Sequence, residues 1–276
     1  IEGNHDQRHS DSEFSWLRSL EQWGFLRLLE PQMVDGFPVY REWNANADDY
    51  NFGGFTDIGR ARIFGSSWYG ASANHAIPQL IDAIRENRRE GAFHILLLHT
   101  DVEGHQTHPL PALSLVNLNA LRAVTDYVAL GHTHRAYAID NWVFNPGSLE
   151  ITNIEEYAES RGAWLVEVDD ENVVKAHLVN EYQQRAFERI VFDVSSADNP
   201  EAVRHGVLEK VARVEPPADD SDDSKKVIEI TLRGRLGFAA SQLDLRSLRE
   251  DAMKKSKALH VRLKNHSVPV EYAVAA

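Results

Sequence analysis

Two short apolar runs, Ile95-Leu96-Leu97-Leu98 and Tyr127-Val128-Ala129-Leu130, each deliver histidine at their C-terminal end: His99 directly after the first, Gly131-His132-Thr133-His134 after the second. Runs of this length and continuity suit strands covered on both faces, as in a parallel sheet. Open α/β sheets bind ligands at the carboxyl ends of their strands, so two strands bringing imidazoles to one edge define a candidate site. The chain opens Ile1-Glu2-Gly3-Asn4-His5-Asp6. Read as the tail of a third strand, this segment places Asn4 and His5 on the same rim.

The rest of the chain alternates between two rhythms. Asp11 or Ser12 can cap a helix whose apolar positions Phe14, Leu17, Leu20 and Trp23 run toward Gly24. Together with Trp16 they offer more apolar surface than one stripe requires. Core burial is the ordinary fate of such a surface, and a subunit contact is the alternative. A second helix carries Ile77, Leu80, Ile81 and Ile84, tolerates Pro78 in its first turn and stops at Gly91. Residues 37–43 and 60–68 read as strands. Residues 136–139 and 142–144 flank Asp140-Asn141 as a hairpin, and 163–168 with 173–179 form another. The expected fold class is α/β, a layered β-sandwich flanked by helices.

Beyond Tyr182 the order becomes strand 189–194, helix 200–212, strand 226–233, helix 241–253 and strand 259–263, a β-α-β-α-β unit. The domains are therefore expected at 1–182 and 183–276. Ahead of the third of these elements, residues 215–224 are acidic and proline-broken, which predicts an exposed loop.

Composition narrows the chemistry. The 276 residues include no cysteine, which excludes disulfide scaffolds, thiolate zinc sites and thiol nucleophiles. Any metal must sit on His, Asp, Glu or Asn. The net charge is −13, yet residues 225–276 carry a local excess of about six positive charges. No apolar run approaches the roughly 20 residues that cross a bilayer, so the expectation is a soluble, cytoplasmic protein without membrane contact.

Each histidine motif has an ordinary reading alone: a hydrogen-bonded residue at a strand end, a surface pair in a turn, a Gly-Asn-Asp turn. In chain order, with strands before each, they point to a metal. His132 and His134, two apart in an extended segment, would project to one side with Thr133 turned away. Gly131 would let the backbone turn sharply. Imidazole with amide and carboxylate oxygen suits manganese, iron or zinc, and a site without thiolate favours the harder ions. Of the remaining histidines, His105 and His108 follow His99 closely enough to border a substrate.

The order G-N-H-D, an apolar strand ending in H, and G-H-T-H resembles the calcineurin-like metallophosphoesterases. Phe144-Asn145-Pro146-Gly147-Ser148-Leu149-Glu150 and the appended β-α-β-α-β unit are similar to the SbcD-type DNA-repair nuclease subunit, strongly over residues 1–182 and more weakly beyond. The resemblance implies a metallophosphoesterase sandwich with a smaller capping domain. It makes Asn4, His99 and His132 ligands of one divalent ion and His134 a ligand of a second, with manganese the usual metal. It gives His5 a role in transition-state stabilisation or leaving-group assistance, Asp6 the orientation of that imidazole, and Arg8 a place near a phosphate. Such enzymes use two ions about 3.5–4 Å apart to drive in-line hydrolysis of phosphodiesters.

The family pattern begins with D-x-H and a G-D segment whose aspartate bridges the metals, and neither precedes Gly3 here. Asp57 and Asp101 come too late in the chain to match that order. The resemblance therefore implies that an upstream part is missing and that the chain as it stands binds metal weakly and lacks nuclease activity. It also implies DNA as substrate, an SbcC-type ATPase as partner, and a homodimer. Arg233, Arg235, Arg246, Arg249, Lys254, Lys255, Lys257, Arg262 and Lys264 would offer a positive face to DNA. A small-molecule phosphodiesterase or phosphatase on the same scaffold, and a non-catalytic binding scaffold, are the competing readings.

Overall fold

The computed structural model describes residues 1–6, 15–47, 53–106, 111–219 and 221–269. Arg8 and His108, together with the expected helix start at Asp11, Ser12 and Phe14, lie outside them. The chain divides into two compact units, Ile1–Leu149 with Glu159–Glu181, and Glu150–Ala158 with Tyr182–Ala276. The sequence-based boundary thus falls where the second unit resumes. The nine residues Glu150–Ala158 group with that unit as well, which no composition shift announces.

The first unit comprises α1 (Trp16–Gln22), the hairpin β1 (Gln32–Val34) and β2 (Phe37–Val39), β3 (Phe55–Ile58), β4 (Ala61–Ser66), α2 (Ala73–Glu86), β5 (Phe93–His99), α3 (Leu115–Ala120), β6 (Tyr127–Gly131), β7 (Ala136–Ile139), β8 (Val143–Pro146), β9 (Ala163–Val168) and β10 (Val174–Val179). Six strands form one mixed sheet in the order β3-β4-β5-β6-β8-β7, with β4, β5, β6 and β8 parallel. β9 and β10 form a separate antiparallel pair.

Leu96, Leu98, Val128 and Leu130 are buried against Ile77, Leu80, Ile81 and Ile84 of α2 and Leu118 of α3. Their neighbours Ile95, Leu97, Tyr127 and Ala129 are only half-buried. The two central strands are therefore fully covered on one face and partly covered on the other. Continuous apolar sequence does not record which face the helices take.

α2 begins four residues earlier than the apolar spacing suggests, and Pro78 lies inside it rather than in its first turn. Proline cannot donate to the carbonyl four residues back. That carbonyl, of Asn74, instead accepts from Asn117 Nδ2 at 3.1 Å, so a side chain from α3 repairs the gap. The turn between β7 and β8 has positive φ at both Asp140 and Asn141, the backbone twist that suits a two-residue hairpin.

α1 is capped by Ser15, whose hydroxyl accepts from Arg18 N–H. Trp16 and Trp23 are 70% and 69% exposed, and Phe25 beyond the helix is 76% exposed. Core burial of Trp16 and Trp23 is thus corrected. With α1 only seven residues long, only Glu21 along it is fully buried.

The second unit contains β11 (Phe187–Asp193), α4 (Pro200–Val211), β12 (Val227–Arg235), α5 (Leu245–Ser256) and β13 (His260–Val268). Its strands are parallel in the order β11-β12-β13, as the β-α-β-α-β reading requires. Val203, Val207 and Val211 of α4 and Leu248 and Ala252 of α5 bury one sheet face with Ile228, Ile230 and Leu232. Arg262 and Lys264 sit on the opposite face, in register with Glu229 and Thr231. Arg246, Lys254 and Lys255 lie on the exposed side of α5. The basic island is thus divided between two faces of the unit and does not form the single expected face. No helix among the described residues is long and apolar enough to cross a membrane.

Candidate metal centre

Parallel pairing sets His99 directly beside Gly131, so that the next residue, His132, turns over the end of β5. The opening segment arrives from the other side. Glu2 is buried, its carboxylate accepts from the Ser15 hydroxyl, and its carbonyl accepts from Trp68 N–H at 3.3 Å. These contacts hold residues 1–3 at the C-terminal end of β4, although they do not form a strand. Asp6 closes the next turn: its carboxylate accepts from Gly3 N–H at 3.0 Å, and its own N–H donates to Gly3 carbonyl at 3.1 Å.

Three potential metal donors converge there. Asn4 Oδ1 is 3.0 Å from His99 Nε2 and 3.2 Å from His132 Nδ1, and the two ring nitrogens are 3.2 Å apart. An octahedral ion with bonds of about 2.1 Å separates adjacent ligands by about 3.0 Å, so one triangular face of such a shell matches these spacings. A proton on one ring nitrogen can also hold this triangle together. Among the described residues no group of three or more His, Asp and Glu side chains gathers to hold a metal; the triangle has two imidazoles and an amide.

The His99 ring occupies a slot made by two glycines. A Cβ on Gly3 would stand 2.7 Å from His99 Cε1, and one on Gly131 would stand 3.0 Å from Nδ1. Gly131 therefore serves close approach and does not carry the turn, which corrects its expected role. Burial, ahead of the neighbouring His132, pushes the His99 imidazole down to about 4. The ring is neutral at pH 7, the form that binds metal.

The turn is made by His132 itself, at φ +98°, a conformation costly for any residue with a side chain. The extended geometry expected for the G-H-T-H segment is therefore corrected, because β6 ends at Gly131. Thr133 points inward and is buried, donating to Asp101 Oδ1 at 2.5 Å. The other Asp101 oxygen lies 3.4 Å from His132 Nε2. His134 follows in the same bend, half-buried.

The 144–148 segment grips this bend from below. Asn145 is fully buried and donates from Nδ2 to the carbonyls of Thr133 at 2.7 Å and Arg135 at 2.8 Å. Ser148 N–H donates to His134 carbonyl at 3.2 Å. Sequence reading singled out this segment only by resemblance; physically, it satisfies the backbone of a strained histidine turn.

The remaining site expectations fall as follows. His5 is exposed, and Asp6 lies half-buried beside it in the turn that starts at Gly3. His105 stacks on Tyr137 with ring centroids 4.2 Å apart, and its carbonyl accepts from Arg135. Asp57 pairs with Arg62 at 2.9 Å and Arg89 at 2.7 Å near the start of β4, the opposite end from the histidines. Sequence reasoning did not assign roles to Trp68, whose ring centroid is 6.3 Å from that of His132, or to Thr133 and Asp101 as partners of the bend. The adjacency of Asp101 to His99 in His99-Thr100-Asp101 was the available signal.

His94 shows what a structural histidine looks like in the same strand. Its Nε2 accepts from Arg89 N–H at 3.2 Å, and Nδ1 faces Asp126 at 3.2 Å, so both nitrogens are engaged away from the cluster. No protein-family model matches the chain, and no curated protein matches it.

Proposed function

We propose that this chain carries the phosphodiester-cleaving site of a calcineurin-like metallophosphoesterase, in an SbcD-type nuclease subunit acting on DNA. The observation that supports it most is the convergence of Asn4 Oδ1, His99 Nε2 and His132 Nδ1 at mutual distances of 3.0 to 3.2 Å. Donors of this kind fit a divalent ion of intermediate hardness such as manganese. A pair of such ions, when bound, supplies positive charge to the phosphoryl oxygens and activates water.

Within this reading Asn4, His99 and His132 hold one ion and His134 the other. His99, kept neutral by burial, needs no proton removed before it binds. His5, exposed on the rim, stabilises the transition state or assists the leaving group, while Asp6 fixes the turn that carries it through the Gly3 amide. The same reading gives Arg8 a place near a phosphate. The exposed Trp16, Trp23 and Phe25 favour a homodimer contact, and an SbcC-type ATPase controls access of DNA.

The test is manganese-dependent cleavage of linear duplex DNA by the full-length gene product that contains this chain. The expected result is cleavage abolished by His99→Ala and by His132→Ala. Hydrolysis of a mononucleotide ester with none of DNA would move the assignment to a small-molecule phosphodiesterase. Manganese-independent cleavage unaffected by either substitution would overturn it.

A further inference from the structure

Asp101 follows the G-N-H-D motif and so falls outside the family order of metal ligands, and the structure gives its carboxylate a different geometry. It is 9% exposed and stands behind His132, on the side away from Asn4 and His99 nitrogens. One oxygen accepts from the Thr133 hydroxyl at 2.5 Å, and the other is 3.4 Å from His132 Nε2. The opposite ring nitrogen of His132, Nδ1, is the one that faces Asn4 and His99.

A neutral imidazole carries one proton, and whichever nitrogen holds it cannot offer a lone pair. A carboxylate beside one nitrogen draws the proton there and leaves the other free, which also raises its basicity toward a metal. Rotation of the ring would undo this choice. The buried Thr133 hydroxyl holds the Asp101 carboxylate with its other oxygen facing His132 Nε2.

We propose that Asp101 is a positioning residue that fixes His132 as the Nε2–H tautomer, and that Thr133 holds Asp101 in place for this purpose. The proposal rests on the metallophosphoesterase reading only for its consequence, metal affinity. The tautomer itself is a property of the metal-free protein. In this arrangement the third residue of G-H-T-H ties the histidine turn to the loop that follows His99.

The experiment combines long-range proton–nitrogen NMR of the histidine rings at pH 8 with calorimetric titration of manganese chloride. It uses the full-length gene product that contains this chain, unaltered and as Asp101→Asn and Thr133→Val. In the unaltered chain His132 is expected as the Nε2–H tautomer. In Asp101→Asn the two tautomers mix, and manganese affinity falls by about 10- to 100-fold. Thr133→Val, which keeps the carboxylate and nearly the same side-chain volume, shifts both readouts in the same direction by less.

An Nδ1–H tautomer in the unaltered chain overturns the proposal. So does an Asp101→Asn protein with unchanged tautomer and unchanged manganese affinity. If the unaltered full-length gene product shows the Nε2–H tautomer, lost in Asp101→Asn, but binds no manganese, the positioning role stands and the metallophosphoesterase reading fails.

Discussion

His99 and Gly131 are register partners on adjacent parallel strands, and the imidazole of the first lies where a side chain on the second would be. Gly3 closes the other side of the slot. Two of the three motifs thus begin with glycine for one reason: each must leave room for the histidine supplied by the remaining motif.

Alanine at either glycine tests this slot. The Gly3→Ala methyl would lie 2.7 Å from His99 Cε1, closer than packed atoms approach, so the ring must move. Overpacking of this kind costs about 1–3 kcal/mol. Gly131→Ala, at 3.0 Å, is expected to cost less. Urea unfolding and manganese titration should show both variants weakened, Gly3→Ala more. Unchanged stability and affinity in Gly3→Ala would remove the slot from the account.

Stability should fall in mild acid because of two histidines in β5. Burial is the main cause lowering the pKa of His94, against the opposing pull of Asp126, and the same burial takes His99 to about 4. An unfolded histidine titrates near 6.5. Between these values the unfolded chain binds more protons than the native one, so this contribution is complete above about pH 6.5 and is lost toward pH 4. Urea midpoints measured from pH 7.5 to 5 are expected to fall, and to fall less in His94→Gln. A midpoint constant over that range would contradict the assignment of neutral, buried rings.

Much of this site was legible in the sequence, and the parts that were not share a cause. Strand-terminal histidines are visible because apolar runs mark parallel strands and the site must lie at their ends. The same logic identified the β-α-β-α-β unit, whose helices carry regular valine and leucine spacing. The dihedral of His132 was not legible, because a glycine immediately before it offers the easier turn. Nor was the inward orientation of Thr133, since the alternation rule holds only while the strand continues. The segment Glu150–Ala158 joins the second unit through contacts such as Lys264 with Glu155 and Arg189 over Tyr157, which no local pattern reveals.

Asp57 separates a structural carboxylate from a metal ligand. Its bidentate contact with Arg62, helped by Arg89, holds its pKa below the usual carboxylate range. Asp57→Asn is expected to cost about 1–3 kcal/mol of stability, the range for hydrogen bonds to charged groups, and to leave manganese affinity unchanged. Weakened metal binding with intact stability would reverse that assignment.

Glu229 is the corresponding feature of the second unit. Its side chain is fully buried on β12, 2.8 Å from Lys264 Nζ, 3.3 Å from Arg189 Nε and 3.9 Å from Arg262 Nε. The three cations are partly exposed, so losing the carboxylate costs about 1–3 kcal/mol, the range for hydrogen bonds to charged groups. Glu229→Gln should therefore lower the unfolding midpoint of this unit. A loss below about 0.5 kcal/mol, the range of ordinary surface substitutions, would show that the three cations do not depend on it.

DNA contact by the basic island can be resolved by face. Charge reversal at Arg262 on the sheet, and separately at Lys254 and Lys255 on α5, should lower both affinity and the salt dependence of DNA binding for the face that contacts phosphate. The other set should leave the slope unchanged. Equal, unaltered slopes for both sets would remove the second unit from the DNA interface.

The central claim is that Asn4, His99 and His132 share a cation, and the alternative is a triangle closed by a proton. Manganese titration followed by paramagnetic broadening of histidine ring signals distinguishes them directly. A shared cation gives early, saturable loss of the His99 and His132 signals while His94 stays sharp, and no such loss at His132 in His99→Ala. Sharp His99 and His132 lines at millimolar manganese would contradict it.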